Sequence, residues 1–452
     1  MISMRLSEAA AGVEGELSGI DTLFTGCSID SRSIRSGELF IALRGKHFDG
    51  HSFLQSAREA GASAALVEQN DTTDDLPHVV VKNSRAAIAK LASQWRDVFS
   101  IPMIAVTGSN GKTTVKEMIT SILNISAPVL STTGNLNNEI GVPLTLFGLD
   151  NEHQYAVIEM GANNPGEIAF LSSIARPTVA LITQCAPAHL KGFGSIEGVA
   201  QAKAEIYSGL TKAGIAVVNA DDHYANIYKD SAKYNPQISF GIKKQADISA
   251  DNITFNYESN KTSFMLRTSA GSISISLSLL GHHNVMNSLA AAASCIAINI
   301  PLDTIQTGLE KVSSIKGRMY LKSSKNGIRI FDDTYNANPG SLSAGLEVLS
   351  KYPGRKWLVL GDMGELGTSE KELHQQAGET IRNYGVERLY TLGELARFSS
   401  ESFGSGAMHF DHIDQLISSL KDDLPAETTL LVKGSRAMEM DRIVSNLTEE
   451  SD

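Results

Sequence analysis

The run Met103-Ile-Ala-Val-Thr-Gly-Ser-Asn-Gly-Lys-Thr-Thr114 joins an apolar strand, a glycine turn and a Lys-Thr pair that opens a helix from about Thr114. Gly108 and Gly111 let backbone N–H groups curl round a phosphate at a helix N-terminus, where the dipole also favours anions. In such a loop Lys112 reaches the terminal phosphates and the Thr113 hydroxyl ligates Mg²⁺. Val106 stands where the usual GxxxxGK[ST] spacing has its first glycine. The pattern predicts ATP binding by Gly108, Ser109, Asn110, Gly111, Lys112, Thr113 and Thr114.

A phosphate loop alone fits kinases, motors, transport ATPases and ligases. Glu159 narrows the field, because it ends an apolar strand before Met160-Gly161 and is placed to hold Mg²⁺ beside the loop. His189, in Ala186-Pro-Ala-His-Leu190, reads by itself as structural. Lys203, in Gln201-Ala-Lys-Ala-Glu-Ile-Tyr207, reads by itself as a solvated helix lysine.

The elements that must position these groups fall into three stretches. Residues 1 to about 98 hold short strands (Leu39 to Leu43, Ala64 to Val67, Val79 to Val81), a helical pattern at Phe53 to Ala60 and a helix from Ser84 to Val98. Ile101-Pro102 breaks that helix and marks a boundary. From Met103, strands at 103–107, 155–160, 179–183 and 215–219 alternate with helical segments, which predicts a mostly parallel sheet. Alternation over 246–280 predicts antiparallel strands at its edge, and a helix follows from Asn284 to Ile298. Strands at 328–331, 357–360, 388–392 and 429–432 predict a second α/β unit. The expectation is an α/β protein with a small N-terminal substrate domain (1–100), a central ATPase domain (101–315) and a C-terminal Rossmann-like domain (316–452).

Composition is consistent with this. The 452 residues are 42% hydrophobic and 20% charged, with 39 Lys+Arg against 50 Asp+Glu and a net charge of −11, which argues against a nucleic-acid-binding protein. Cys27, Cys185 and Cys295 form no CxxC pair, so neither a disulfide framework nor a zinc cage is expected. The most apolar helix, Leu289 to Leu302, is too short and interrupted to span a bilayer. Arg5, Glu8, Glu14 and Glu16 leave no room for a signal-peptide core. A cytoplasmic protein without membrane or nucleic-acid partners, and a monomer, is expected.

Thr107 to Thr114, Glu159, His189 and Lys203, followed by Gly281-His-His-Asn-Val-Met-Asn287, together resemble the Mur ligase family over essentially the whole chain. That family makes amide bonds with ATP in peptidoglycan synthesis. Asp30-Ser-Arg32, Gly37 to Gly45 and Phe48-Asp-Gly-His51 resemble the N-terminal domain shared by the members that add the third residue and the terminal dipeptide. Thr133-Gly-Asn-Leu-Asn-Asn-Glu-Ile-Gly-Val-Pro143 and Asp332-Asp-Thr-Tyr-Asn-Ala-Asn-Pro-Gly-Ser341 are similar to the dipeptide-adding member. Asn338-Pro-Gly340 stands where the diaminopimelate-adding member has Asp-Asn-Pro-Arg.

The resemblance implies UDP-N-acetylmuramoyl-tripeptide, D-alanyl-D-alanine and ATP as substrates, with an acyl-phosphate intermediate. It implies catalytic roles for Lys112, Glu159, His189, Lys203 and Arg318, the last reaching the γ-phosphate from the C-terminal domain. Thr113 and Glu159 would hold one Mg²⁺, and His189 with a carbamylated Lys203 a second. Asn284 and Asn287 would contact adenine and Asp333 the ribose. By pattern, Asn284 also reads as a helix N-cap, and Asp332 and Asp333 as a solvated turn. Asn336 and Asn338 would receive the dipeptide, and Asn135, Asn137 and Asn138 would line the tripeptide path, with Ser31 and Arg44 toward the nucleotide-sugar. Lys433-Gly-Ser-Arg436 reads as an anion site or as a surface turn. Closure about Ile315 to Arg318 is expected, to exclude water from the acyl phosphate. The ligase adding the third amino acid, folylpolyglutamate synthase and a non-catalytic nucleotide-binding scaffold are the competing readings.

Overall fold

The computed structural model describes residues 1–45, 48–68, 76–323 and 327–448. Three domains follow one another, each built on a sheet. The N-terminal sheet has the order Glu16–Ser18, His78–Val80, Ala64–Val67, Leu39–Ile41, Cys27–Ser28, parallel except for its first strand. A two-stranded ribbon, Ser3–Arg5 with Leu23–Thr25, and the helix Leu6–Val13 complete it. The helical pattern at 53–60 opens as a 3₁₀ turn, Gly50–Phe53, because Asp49 caps His51 N; the α-helix is Leu54–Glu59.

The central sheet has nine strands in the order Gly271–Leu277, Lys261–Thr268, Ile248–Asn256, Gln237–Gly241, Ile215–Asn219, Val179–Ile182, Met103–Thr107, Tyr155–Glu159, Val129–Ser131. The strands from Ile248–Asn256 onward are parallel, and the first two extend the edge antiparallel, as the alternation at 246–280 predicts. Met103–Thr107 is buried throughout, which explains its uninterrupted apolar run. Helices Lys112–Leu123 and His282–Ile296 pack together on one face.

The C-terminal sheet runs Tyr320–Ser323, Arg329–Asp333, Thr428–Lys433, Arg355–Gly361, Arg388–Leu392, Ala407–Phe410, parallel except for the first strand. Its carboxyl ends face those of the central sheet across a cleft.

The two junctions between domains differ. A continuous apolar cluster runs from Ile2, Leu6, Ile88 and Leu91 into Met103, Leu146 and Ile174, so the N-terminal and central domains share a core. Trp95 Nε1 donates to Leu149 O at 3.2 Å, and buried Arg96 donates to Phe99 O at 2.5 Å, Ala175 O at 2.8 Å and Arg176 O at 3.3 Å. The C-terminal domain meets the central one through an apolar patch, in which Leu280, Phe255 and Tyr257 pack against Phe331, Val348 and Tyr352, and through polar contacts described below. Among the described residues, no helix is long and apolar enough to cross a membrane.

Candidate active site

The cleft between the central and C-terminal domains encloses about 560 Å³. The phosphate loop forms one wall. Gly108 has φ +148°, and a Cβ there would lie 1.9 Å from Thr183 Oγ1; Gly111 has φ +82°, and a Cβ would lie 2.5 Å from Asn287 Oδ1. Only glycine fits at both positions. The loop is fastened from outside: Ser109 N donates to Gln184 O at 2.8 Å, and Thr183 Oγ1 to Asn110 O at 2.6 Å. The helix begins at Lys112, two residues before the expected Thr114, because Gly111 already serves as its N-cap. Its first amides are therefore free for an anion.

Lys112 Nζ donates to Gly108 O at 2.7 Å, and burial lowers its pKa, with Arg318 adding to the shift and Glu159 opposing it. Thr113 and Gly108 do not line the cleft directly. Thr113 is tied into the site all the same: its hydroxyl donates to Glu159 Oε2 at 2.8 Å and accepts from Arg318 Nη2 at 2.7 Å. Asn137 Nδ2 donates to the other Glu159 oxygen at 2.8 Å. Arg318 lies over the Tyr335 ring, 4.2 Å from its centroid. A chain of contacts thus joins the phosphate-loop helix, the end of a central strand and the third domain.

Lys203 is 1% exposed and lines the same cleft, so it is not the solvated lysine its helix pattern suggests. Burial, with Lys112 nearby, lowers its pKa to about 7. Among the described residues its Nζ has no salt-bridge partner and lies over Phe193 at 5.7 Å. His189 also lines the cleft, in a left-handed backbone conformation (φ +54°) and paired through Nδ1 with Glu365.

Asn284 is not an N-cap. Gly281 holds that position, the helix runs from His282 to Ile296 rather than 284–298, and Asn284 Nδ2 turns back to Leu280 O at 2.8 Å. Asn284 and Asn287 are bonded to each other at 3.2 Å and line the cleft. Asp332 and Asp333 are not a solvated turn: Asp332 is 1% exposed, and Asp333 Oδ2 accepts from Lys433 Nζ at 2.5 Å. Lys433 also donates to Asn336 O at 3.0 Å. The basic motif therefore divides, Lys433 being buried in the cleft wall while Arg436 is exposed.

Asn135, Asn137, Asn138, Asn336 and Asn338 all line the cleft. Asn138 Oδ1 is bonded to the turn amides of Ile140 and Gly141, at 3.2 and 2.9 Å. Asn338 caps the helix Pro339–Lys351 through Ser341 N at 2.9 Å, and its amide donates to Asn110 Oδ1 at 2.7 Å. Ser31 and Arg44 lie outside the cleft. Arg44 is paired with Asp49 and Glu68 at 3.3 and 3.6 Å, and its carbonyl accepts from Arg85, which in turn pairs with cleft residue Glu139.

The structure adds residues that the sequence reading did not single out: Glu365 on His189, Tyr335 under Arg318, and Glu167 in the cleft. Glu365 lies in Gly361-Asp-Met-Gly-Glu-Leu-Gly367, an acidic glycine-rich turn after an apolar strand, the same kind of signal that marks Glu159.

A phosphate loop, an adjoining carboxylate and an arginine from a second α/β domain define a nucleotide-phosphate site between two facing sheets, of the class that transfers phosphoryl groups. The description "Mur ligase family, catalytic domain" matches residues 23–96, "Mur ligase middle domain" matches 106–295, and "Mur ligase, glutamate ligase domain" matches 317–436. The chain belongs to the Mur ligase family. It is 41% identical to the UDP-N-acetylmuramoyl-tripeptide–D-alanyl-D-alanine ligase of Escherichia coli K12, covering 99% of both chains. A crystal structure of MurF from Acinetobacter baumannii superposes with a TM-score of 0.93 at 34% identity, again over 99% of both. A structure of MurF ligase from Thermotoga maritima in complex with ADP superposes at 0.83 and 29% identity, over 94% of this chain and 97% of that one.

Proposed function

We infer that this chain joins D-alanyl-D-alanine to UDP-N-acetylmuramoyl-tripeptide, at the expense of ATP, as a step of peptidoglycan synthesis. The full-length identity to ligases named for that reaction favours it over addition of the third amino acid. The observation that carries the chemistry is the contact chain Arg318–Thr113–Glu159, which sets two domains' polar groups at the end of one phosphate loop.

Making an amide from a carboxylate requires turning one of its oxygens into a leaving group. The tripeptide carboxylate attacks the γ-phosphate to give an acyl phosphate and ADP. The dipeptide amine then attacks the carbonyl carbon, and the tetrahedral intermediate expels phosphate. In the first step two anions meet, so Lys112 and Arg318 are proposed to neutralise charge on the transferring group. Asn284 and Asn287 are proposed for adenine, Asp333 for ribose, Asn135, Asn137 and Asn138 for the tripeptide, and Asn336 and Asn338 for the dipeptide. Ser31 and Arg44 remain the proposal for the nucleotide-sugar.

The donor set suits Mg²⁺. Thr113 and Glu159 offer hard oxygens, and among the described residues there is no cluster of three or more His, Cys, Asp or Glu, so phosphate and water oxygens would complete the shell. Bound Mg²⁺ would supply further neutralisation of the phosphates. His189 and Lys203 are proposed for a second ion. Lys203 is buried, has no salt-bridge partner among the described residues, and has its pKa lowered to about 7, so a substantial neutral fraction is available to react with CO₂. The carbamate so formed would be an anionic oxygen ligand. The domains in this reading are 1–100, 101–315 and 316–452, with a hinge at 315–318, where Gly317 has φ +76°. A monomer in the cytoplasm, free of nucleic acid, is part of the same proposal.

Phosphate release from ATP with UDP-N-acetylmuramoyl-tripeptide tests it. The dipeptide is expected to stimulate release, and diaminopimelate, lysine or no amine is not. Stimulation by diaminopimelate instead would overturn the assignment.

A further inference from the structure

His189 and Glu365 belong to different domains and are 176 residues apart, yet their side chains are paired. Both stand in the left-handed region, with φ +54° and +63°, a conformation that non-glycine residues adopt at a cost of about 1–3 kcal/mol each. The turns that carry them are also packed together: a Cβ on Gly367 would lie 3.3 Å from Lys191 N and 3.4 Å from Leu190 C. Gly367 itself has φ +68°, so this turn can approach only as glycine. Two residues in this conformation thus face each other across a domain boundary as a histidine–carboxylate pair.

A histidine that binds a metal through one ring nitrogen is oriented by the partner of the other nitrogen, and loss of that partner lowers affinity or activity by about 10–100-fold. We propose that Glu365 is a positioning residue for His189: it fixes the ring through Nδ1 and leaves Nε2 for the cleft, so that the His189 arm of the site is complete only when the C-terminal domain is seated. This rests on the reading of His189 as a metal ligand given above. It assigns to the third domain a part in building the central domain's metal site, besides delivering Arg318 and the dipeptide.

The test uses the full chain with ¹⁵N-histidine labelling, His189→Ala identifying the His189 ring signals. In wild type the signals are expected to report a fixed tautomer, and Glu365→Ala to shift them toward a mixture. Glu365→Gln, which keeps the shape and an acceptor oxygen, is expected to restore most of the wild-type pattern. In parallel, Mn²⁺ binding in the presence of ADP is followed by electron paramagnetic resonance. Glu365→Ala is expected to weaken the second Mn²⁺ about 10–100-fold, and no further in a His189→Ala background. Unchanged ring signals in Glu365→Ala would overturn the proposal whatever the metal does. Shifted ring signals with wild-type Mn²⁺ binding in His189→Ala would instead sink the ligand reading of His189, and the proposal with it.

Discussion

The two junctions of this chain differ in how much apolar core they share. Between the N-terminal and central domains an apolar core continues across the boundary, and buried Arg96 and Trp95 bond to carbonyls on the far side. Between the central and C-terminal domains an apolar patch, Leu280, Phe255 and Tyr257 against Phe331, Val348 and Tyr352, is joined by polar contacts that include Arg318 to Thr113, Asn110 to Asn338, His189 to Glu365 and His282 to Glu347. Polar groups recover hydrogen bonds in water when separated, whereas a shared core does not separate without a cost of about 25 cal/mol per Å². The larger shared core makes the first junction the more costly to separate, and the second is where opening is proposed. The groups proposed for chemistry gather at the second.

Substitutions at the two junctions should fail in different ways, and Arg318→Ala should give the largest effect. It removes a cation proposed for the transferring phosphoryl group, and kcat is expected to fall by about 10³-fold, the low end for an arginine finger. The melting temperature should hardly move, because the partner hydroxyl of Thr113 keeps Glu159. A loss below tenfold in a steady-state assay would remove Arg318 from the reaction.

Arg96→Ala is the converse. It leaves three carbonyl acceptors at the rigid junction without their charged donor, and the unfolding free energy measured in urea should drop by about 2–3 kcal/mol. At a temperature where the variant is folded, kcat should be that of the wild type. A parallel loss of kcat would show that the rigid junction also transmits to the cleft.

Lys203 shows that the opening side carries a stability cost. Its pKa falls from an ordinary 10.5 to about 7 on folding, so between those values the unfolded chain binds a proton that the native chain does not. Stability then rises with pH across the window from about 7 to about 10.5, by up to a few kcal/mol. In CO₂-free buffer without nucleotide, wild type should show that slope and Lys203→Met should not. Parallel pH profiles for the two would place the native Lys203 pKa near its ordinary value.

How far the sequence reveals each junction follows from the same physics. The phosphate loop is legible because backbone donors close to an anion require Gly108 and Gly111, and glycine spacing survives in one dimension. Glu159 is legible because it ends an apolar strand. The pairs His189–Glu365 and Asp333–Lys433 are not, since they join residues 176 and 100 positions apart and leave no local mark. Lys203 looks solvated because the turns that bury it come from elsewhere. The central parallel strands are readable from their apolar runs, while Tyr320–Ser323 and Ala407–Phe410 are short edge strands with partly exposed residues and little periodicity. Asn284 is mistaken for a cap because the helix starts two residues earlier, behind a glycine with φ +98°.

The smallest effect should come from Asn338, where both functions of the opening junction meet in one side chain. Its oxygen caps the helix Pro339–Lys351 and its amide reaches Asn110 in the phosphate loop. Asn338→Ala removes both and should cost about 1 kcal/mol of stability, the usual value of an N-cap. Asn338→Asp keeps a good cap and favours the helix N-terminus, so stability should stay within about 0.5 kcal/mol of wild type. The same carboxylate can no longer donate to Asn110, and it sets a negative charge where an anionic acyl phosphate is proposed to lie. Asn338→Asp should therefore lose turnover while remaining folded, and Asn338→Ala should lose stability with a smaller loss of turnover. If Asn338→Asp kept wild-type turnover while Asn338→Ala lost stability, the side chain would be acting only as a cap, and the dipeptide assignment would pass to Asn336 alone.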